Sequence, residues 1–511
     1  MPGDNDMSNS FLRTSSILFF LFVASRVLGF IREQVVAAYL GATPQSDAYV
    51  VASTIPFILS YIIGTAAGNS FLPVYTGRLG NDDANRLVST VFVIFGGAVV
   101  LICAGGFIFA PRLVELLAPG FTSDVRSLAV VCTKIMLPGL AFLTLGYVVK
   151  AALNAHRQFT IPAAAPALQN IAFILLLFFF AQKGAVGLSW SMLAGTVVFY
   201  LVQRIVLGKY GITWRPRLDF GDPDVRRVMV LAVPVILTTL GTKGYIFLDR
   251  WLGSQLSGGS IAALNFADRI RELPYGLFVA AVSTVLFPTL ASAAGKRDMH
   301  SLRKNIAMGL RLVAILGFPA AVLLSVLDGP VVKLLFQRGA FDAAATAATA
   351  GALDYYAISV IALCANSIIT YTFLSMQDGI IPLKIGAVAL VLNLVADLLF
   401  VNRMGHLGLA LGNTIAAFIA MALFVSLLSR KLEGFDWKDL LVSVFKIGIA
   451  TGVMGTISFS LAHWTGIYEG NVTLMQQIWG LGLSVGAGGL VYIALLFVFR
   501  IEETRMFLKR Q

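Results

Sequence analysis

Long apolar runs follow one another from near residue 16 to near residue 499, and this succession constrains the fold more than any other feature. A helix needs about 20 mostly apolar residues to cross a bilayer. Fourteen candidate spans are centred near residues 26, 60, 99, 140, 172, 196, 238, 277, 316, 361, 391, 419, 452 and 487. Composition agrees: 58% of residues are hydrophobic and 13% charged, where soluble domains run near 45–50% and about 25%. The sequence therefore predicts an all-α polytopic membrane protein and excludes a soluble domain. The first run has no small-residue cleavage site and continues past Arg32, so it reads as a retained helix rather than a signal peptide. Cys103, Cys132 and Cys364 lie in apolar runs without metal-ligand spacing and read as small core residues.

The net charge of +12 follows membrane topology rather than nucleic-acid binding. Cytoplasmic loops retain Lys and Arg. Residues 204–227 hold Arg204, Lys209, Arg215, Arg217, Arg226 and Arg227, and residues 296–304 hold Lys296, Arg297, Arg303 and Lys304. The alternate loops hold only Arg112, Arg126, Lys183, Arg250, Lys333, Arg338 and Arg403. Both termini are thus expected in the cytoplasm, which an even number of spans permits.

The two halves share landmarks. Pro56 matches Pro274, Pro73 matches Pro288, Pro111 matches Pro330, Gly120 matches Gly339 and Pro162 matches Pro382, and "GAVGLSW" matches "GHLGLAL", all at offsets of 215 to 221. Six spans per repeat is an even number, so both copies face the same way and the pseudo-two-fold runs along the membrane normal. The expected organisation is a tail at 1–15, a first lobe at 16–208, a linker at 209–224, a second lobe at 225–430, two further spans at 440–499 and a tail at 500–511. Two such lobes enclose a cleft, and rocking them gives alternating access.

Ionisable groups at membrane depth cost about 2.5–3.5 kcal/mol each, and those that persist face a cavity or one another. Span 1 carries Arg26, Arg32 and Glu33; span 2 opens with Asp47; span 7 carries Lys243 and Asp249; span 8 reads "FADRIRELPYG", with Asp268, Arg269, Arg271 and Glu272. Spans 1 and 7, like 2 and 8, are repeat equivalents, and Arg26 aligns with Lys243. These four spans are expected to line the cleft. Arginine suits phosphate because its planar fork donates two parallel hydrogen bonds and stays charged. The plainer alternative is that Arg32 pairs with Asp47 and Arg269 with Glu272 to hold helices together.

A second constellation lies in spans 11 and 12. Asn393 and Asp397 are four residues apart on one helix face, followed by Asn413 and Thr414, and span 7 offers Asp249. Such oxygens suit a hard monovalent cation; the alternative is a polar contact between helices. An enzyme would need a carboxylate or histidine cluster or a phosphate loop. His156, His300, His406 and His463 are scattered and no Gly-rich phosphate loop appears, so catalysis is not expected.

"SRVLGFIREQVVAAYLG", "SDAYVVAS", "FADRIRELPYGLFVAAVSTVLFPTLA", "GLRLVAILGFPAAVLLSVL" and "LLFQRGAFD" together resemble the MurJ/MviN family of the multidrug/oligosaccharidyl-lipid/polysaccharide exporter superfamily, over roughly residues 13 to 500. The resemblance implies fourteen helices in two lobes, a central cavity and lipid II as cargo. Lipid II is the undecaprenyl-diphosphate-linked peptidoglycan precursor. It further implies that Arg26, Arg32, Arg269, Asp47 and Glu272 are the functional cavity residues, to which the repeat adds Lys243. Some members bind sodium, and the matching positions here are Asp249, Asn393, Asp397 and Thr414. One segment departs from the family pattern, which carries paired arginines and then a glutamate in the second helix. This chain reads "PFILSYIIGTAAGNSFLP" there, with Ser60 and Tyr61 near the place of the paired arginines and no glutamate.

The resulting expectation is a monomeric flippase of the bacterial inner membrane, in contact with membrane lipids. It would move lipid II from the cytoplasmic to the outer leaflet by alternating access, driven by the membrane potential. No cofactor is expected, with Na+ a candidate coupling ion. The second-helix departure keeps another polyprenyl-diphosphate-linked glycan open as cargo: an O-antigen, teichuronic or capsular unit. A cation-coupled drug exporter fits less well, because an arginine-rich cleft disfavours cationic cargo.

Overall fold

A computed structural model of the chain describes residues 4–79, 84–210, 212, 219, 221–469 and 472–501, with side chains described from Ser16 onward except those of Ala181 and Thr242. Half of the expected linker 209–224 and most of the expected tail 500–511 lie outside the described residues, while the first helix begins inside the expected tail 1–15. The chain divides into two compact units, residues 1–262 and 263–511.

The first unit contains α1 (Asp4–Leu40), α2 (Pro44–Arg78), α3 (Ala84–Leu117), α4 (Ser123–Ala155), α5 (Thr160–Phe180), α6 (Gly184–Gly208), α7 (Pro223–Lys243) and α8 (Tyr245–Gly253). A 3-10 turn, Ala181–Lys183, joins α5 to α6. The boundary between units falls in the first turn of α9 (Ser260–Gly295). The second unit continues with α10 (Met299–Val326), α11 (Asp328–Phe336), α12 (Ala343–Ser375), α13 (Ile380–Met404), α14 (His406–Lys431), α15 (Trp437–Trp464) and α16 (Leu474–Val498). Among the described residues, thirteen helices or helix pairs are long and apolar enough to cross a membrane, α7 and α8 counting together. With α1, itself 37 residues long, they make up the fourteen expected spans.

Local chemistry sets the helix starts. Pro44 and Pro223 each open a helix, where the missing N–H costs nothing, behind the caps Thr43 and Asp222. Thr473 and Gln476 form a reciprocal capping box at α16. Proline inside a helix is tolerated in a bilayer because neighbours satisfy the freed groups. Pro56 and Pro73 accordingly sit within α2, and Pro274 and Pro288 within α9.

The repeat is visible in the backbone of each unit. α2 and α9 have 35 and 36 residues, and α4 and α12 have 33 each. Left-handed residues recur at matching sites: Gly41 with Gly259, Arg157 with Gln377, and Gly184 with Gly405. One matched pair of prolines differs in setting. Pro111 lies inside α3, whereas its counterpart Pro330 lies in a separate helix, α11, after a break at Leu327.

In the first unit, Phe71 of α2, Leu87 and Val91 of α3 and Val148 and Leu153 of α4 form a core that α7 joins through Val228 and Ala232. In the second, Leu286, Ile306, Ile368, Phe373 and Leu428 play that part. The pair α15 and α16 packs through Ile447, Met454 and Tyr492 onto Ala314 and Ile315 of α10, and the Tyr492 hydroxyl donates to the Ile315 carbonyl at 2.8 Å.

The end of α2 is clamped to the start of α7. Arg78 reaches both oxygens of Asp222 at 2.8 Å and also pairs with Asp224. Burial opposes ionisation of Asp222, but the hydrogen bonds from Arg78 and from the Asp224 N–H outweigh it and hold the carboxyl below its ordinary range. A carboxylate whose folded pKa is depressed stabilises the fold above its unfolded pKa of about 3.9, and that contribution fades as pH falls through the lower folded value. Asp222→Asn should therefore cost about 1 kcal/mol at neutral pH. Thermal unfolding in detergent should show the gap from the parent closing below about pH 4.

Candidate functional site

In α1 the two arginines differ in setting. Arg26 is exposed, with its guanidinium 5.3 Å from the Phe22 ring centroid. Arg32 is half-buried. It pairs with Glu33 at 2.7 Å, donates to Asn170 Oδ1 of α5 at 3.1 Å and lies 5.9 Å from the Phe173 ring. Asn170 in turn donates to the Ser25 carbonyl at 3.4 Å, so one amide joins α5 to two turns of α1. Sequence reasoning missed Asn170; an amide inside the apolar run "ALQNIAFILLLFFF" was the available signal.

Asp47 does not pair with Arg32. Its carboxylate accepts the backbone N–H groups of Gly259 at 2.6 Å and Ala262 at 2.7 Å, at the start of α9, and is 3% exposed. Helix N-termini leave unsatisfied N–H groups and carry partial positive charge, so a buried carboxylate is stable there. The alternative in which Arg32 and Asp47 bind each other is thus corrected: adjacent Glu33 captures the arginine, and a helix end captures the aspartate. Lys243 is the last residue of α7, at the Gly244 break before α8, and is half-buried.

In α9 the four charges of "FADRIRELPYG" separate by role. Arg271 is 5% exposed; it pairs with Asp268, donates to Ser359 Oγ at 3.1 Å and lies 4.4 Å from the Tyr356 ring, tying α9 to α12. Arg269 pairs with Glu272 at 3.0 Å, and both side chains keep about a third of their surface, 38% and 33%. The anticipated Arg269–Glu272 pair is present and partly accessible.

The cation constellation assembles in part. Asn393 and Asp397 are 3% and 0% exposed, and Asn393 Nδ2 donates to Asp397 Oδ1 at 3.3 Å. The amide oxygen, Asn393 Oδ1, is buried and makes no hydrogen bond. A carboxylate and an orphaned amide oxygen on one buried face are the ligand types a hard monovalent cation takes. Thr414 turns toward α12, with its hydroxyl 2.8 Å from the Tyr355 carbonyl. Asp249 is buried in the first unit. α14 approaches closely at Gly412, where a Cβ would stand 2.1 Å from Asp397 Oδ1.

A family profile described as lipid II flippase MurJ matches residues 36–478. The chain belongs to this family. Lipid II flippase MurJ of Burkholderia cenocepacia is 30% identical over 459 residues, covering 87% of this chain and 88% of the relative. The probable lipid II flippase MurJ of Vibrio cholerae is 27% identical and covers 97% of each chain. A solved lipid II flippase MurJ in an inward closed conformation superposes with a TM-score of 0.80 at 22% identity, over 94% of this chain and 98% of that one. An inward-facing multidrug resistance MATE transporter gives 0.68 at 17%, over 80% and 95%. The MurJ resemblance read from the sequence and the polytopic all-helical fold both hold. The family is one of flippases, which move a lipid rather than transform it.

Gly412→Ala should cost about 1–3 kcal/mol by overpacking against Asp397. A lowered unfolding temperature in detergent is the expected readout, and a neutral result would show that α13 and α14 can separate freely there.

Proposed function

We propose that the chain carries lipid II from the cytoplasmic to the outer leaflet of a bacterial inner membrane by alternating access of lobes at 16–208 and 225–430, working as a monomer with both termini in the cytoplasm. A sugar-diphosphate head cannot cross hydrocarbon unaided, because its polar groups go unsatisfied there. The observation that carries the reading is the accessibility of Arg26 and of the Arg269–Glu272 pair within membrane-spanning helices. Neighbouring charges such as Arg271 and Asp47 are closed off by protein partners.

In this mechanism Arg26, Arg32 and Arg269 clamp the diphosphate, and Glu272 yields Arg269 to it. Lys243 and Asp47 complete the set of substrate-side residues, Asp47 through its hold on α9. An anionic head moving outward across an inside-negative potential gains about 2.3 kcal/mol per charge per 100 mV. Sodium would be held by Asn393 and Asp397, with Asp249 and Thr414 as the remaining candidates. It would supply a second driving force by favouring one state over the other. Ser60 and Tyr61 favour a second reading, in which another polyprenyl-diphosphate glycan is carried. Ser60 is buried and donates to the Phe57 carbonyl at 2.8 Å, while Tyr61 is exposed, so neither supplies the charge of an arginine pair.

Cells depleted of their own lipid II flippase should be rescued by this chain. Arg26→Ala and Arg269→Ala should fail to rescue at equal expression, each weakening head-group affinity by about 10- to 100-fold. Rescue by both variants would leave the arginines without a role in transport, and failure of the parent chain would transfer the cargo to another glycan. Sodium at a hundred times its dissociation constant should stabilise the purified protein by about 2.7 kcal/mol relative to potassium. Asp397→Asn should abolish that difference; equal melting in both salts for the parent would remove the ion.

A further inference from the structure

One cation in the first unit has no role in the scheme above. Lys150 lies five residues before the end of α4, within a membrane-spanning helix, and is half-buried. It makes no ion pair or hydrogen bond among the described residues. Two other cations of this unit have carboxylate partners: Arg32 has Glu33, and Arg78 has Asp222 and Asp224. An uncompensated ammonium at membrane depth is costly unless it meets water or an anion.

Its direction follows from the helices around it. Gly64 and Gly68 of α2 come up against Tyr147 and Ala151 of α4, and Gly146 of α4 comes up against Phe199 and Gln203 of α6. Lys150 is one residue before Ala151 and four after Gly146. At about 100° per residue it leaves α4 between these two faces, into the wedge between α2 and α6. The neighbouring flank of α2 is polar and accessible, with Tyr61, Thr65 and Asn69 at four-residue spacing, while Phe71 and Val74 turn the other way into the core. Gln203 of α6 adds a buried amide whose Oε1 makes no hydrogen bond. A membrane-spanning unit thus carries an unpaired ammonium, a hydroxyl-rich helix flank and an orphaned acceptor around one wedge.

We propose that Lys150 is a phosphate-engaging residue, whose ammonium pairs with the diphosphate of the carried lipid inside the first unit. The inference rests on the reading of the chain as a carrier of polyprenyl-diphosphate lipids. It gives the first unit a cation that Ser60 and Tyr61 do not supply. Gln203 Oε1 and the α2 hydroxyls suit the hydroxyl and amide groups of the attached glycan.

The test uses the purified full chain and undecaprenyl diphosphate as probe, with binding read by native mass spectrometry and stability by thermal unfolding. Lys150→Met should weaken binding roughly tenfold or more while leaving the unfolding temperature unchanged or higher, since a costly unpaired charge is removed. Lys150→Arg should keep most of the binding. Arg269→Ala serves as the reference for the underlying reading. Loss of binding in Arg269→Ala with parental binding in Lys150→Met overturns the Lys150 proposal alone. Parental failure to bind the probe overturns both. Lowered stability in Lys150→Met would make the lysine a structural group and also overturn the proposal.

Discussion

The cost of placing charge in hydrocarbon organises this molecule. Each ionisable group within a spanning helix must find a partner, a helix end or a wet surface. Arg271 takes the first course, held by Asp268 and Ser359 beneath the Tyr356 ring. Asp47 takes the second, on the first N–H groups of α9. Arg26 and the Arg269–Glu272 pair are not enclosed in this way and keep exposed surface. The sorting of charges among these settings separates groups enclosed by protein from groups that keep exposed surface.

The repeat gives that sorting its geometry. Prolines inside α2 and α9 and left-handed residues at Gly41 and Gly259 place equivalent helices in equivalent frames. The copies then diverge where chemistry demands. The first unit carries Arg32 against an amide of α5, and the second carries a buried Asn393–Asp397 pair in the helix equivalent to α5. One backbone plan therefore carries an arginine–amide contact at this helix in one copy and a carboxylate–amide pair in the other.

Much of this was legible in the sequence. Span length, proline offsets and the string "FADRIRELPYG" pointed to the helices, the repeat and the charged helix without tertiary information, because each depends on local pattern. Partner choice was not legible. Nothing in sequence spacing says that Arg32 takes Glu33 and Asn170 while Asp47 takes a helix end 212 residues away. Those outcomes depend on which helices pack. The break at Leu327 was equally hidden, since Pro111 and Pro330 sit in similar strings yet only the second copy splits into two helices.

The ion pairs Arg32–Glu33, Asp268–Arg271 and Arg269–Glu272 share one property: both members belong to the same helix, one to three positions apart. Each arginine therefore enters the bilayer already accompanied by its counter-charge, before any other helix has arrived. Biogenesis of α1 and α9 can then proceed in the order of synthesis, without a waiting period for distant segments to neutralise them.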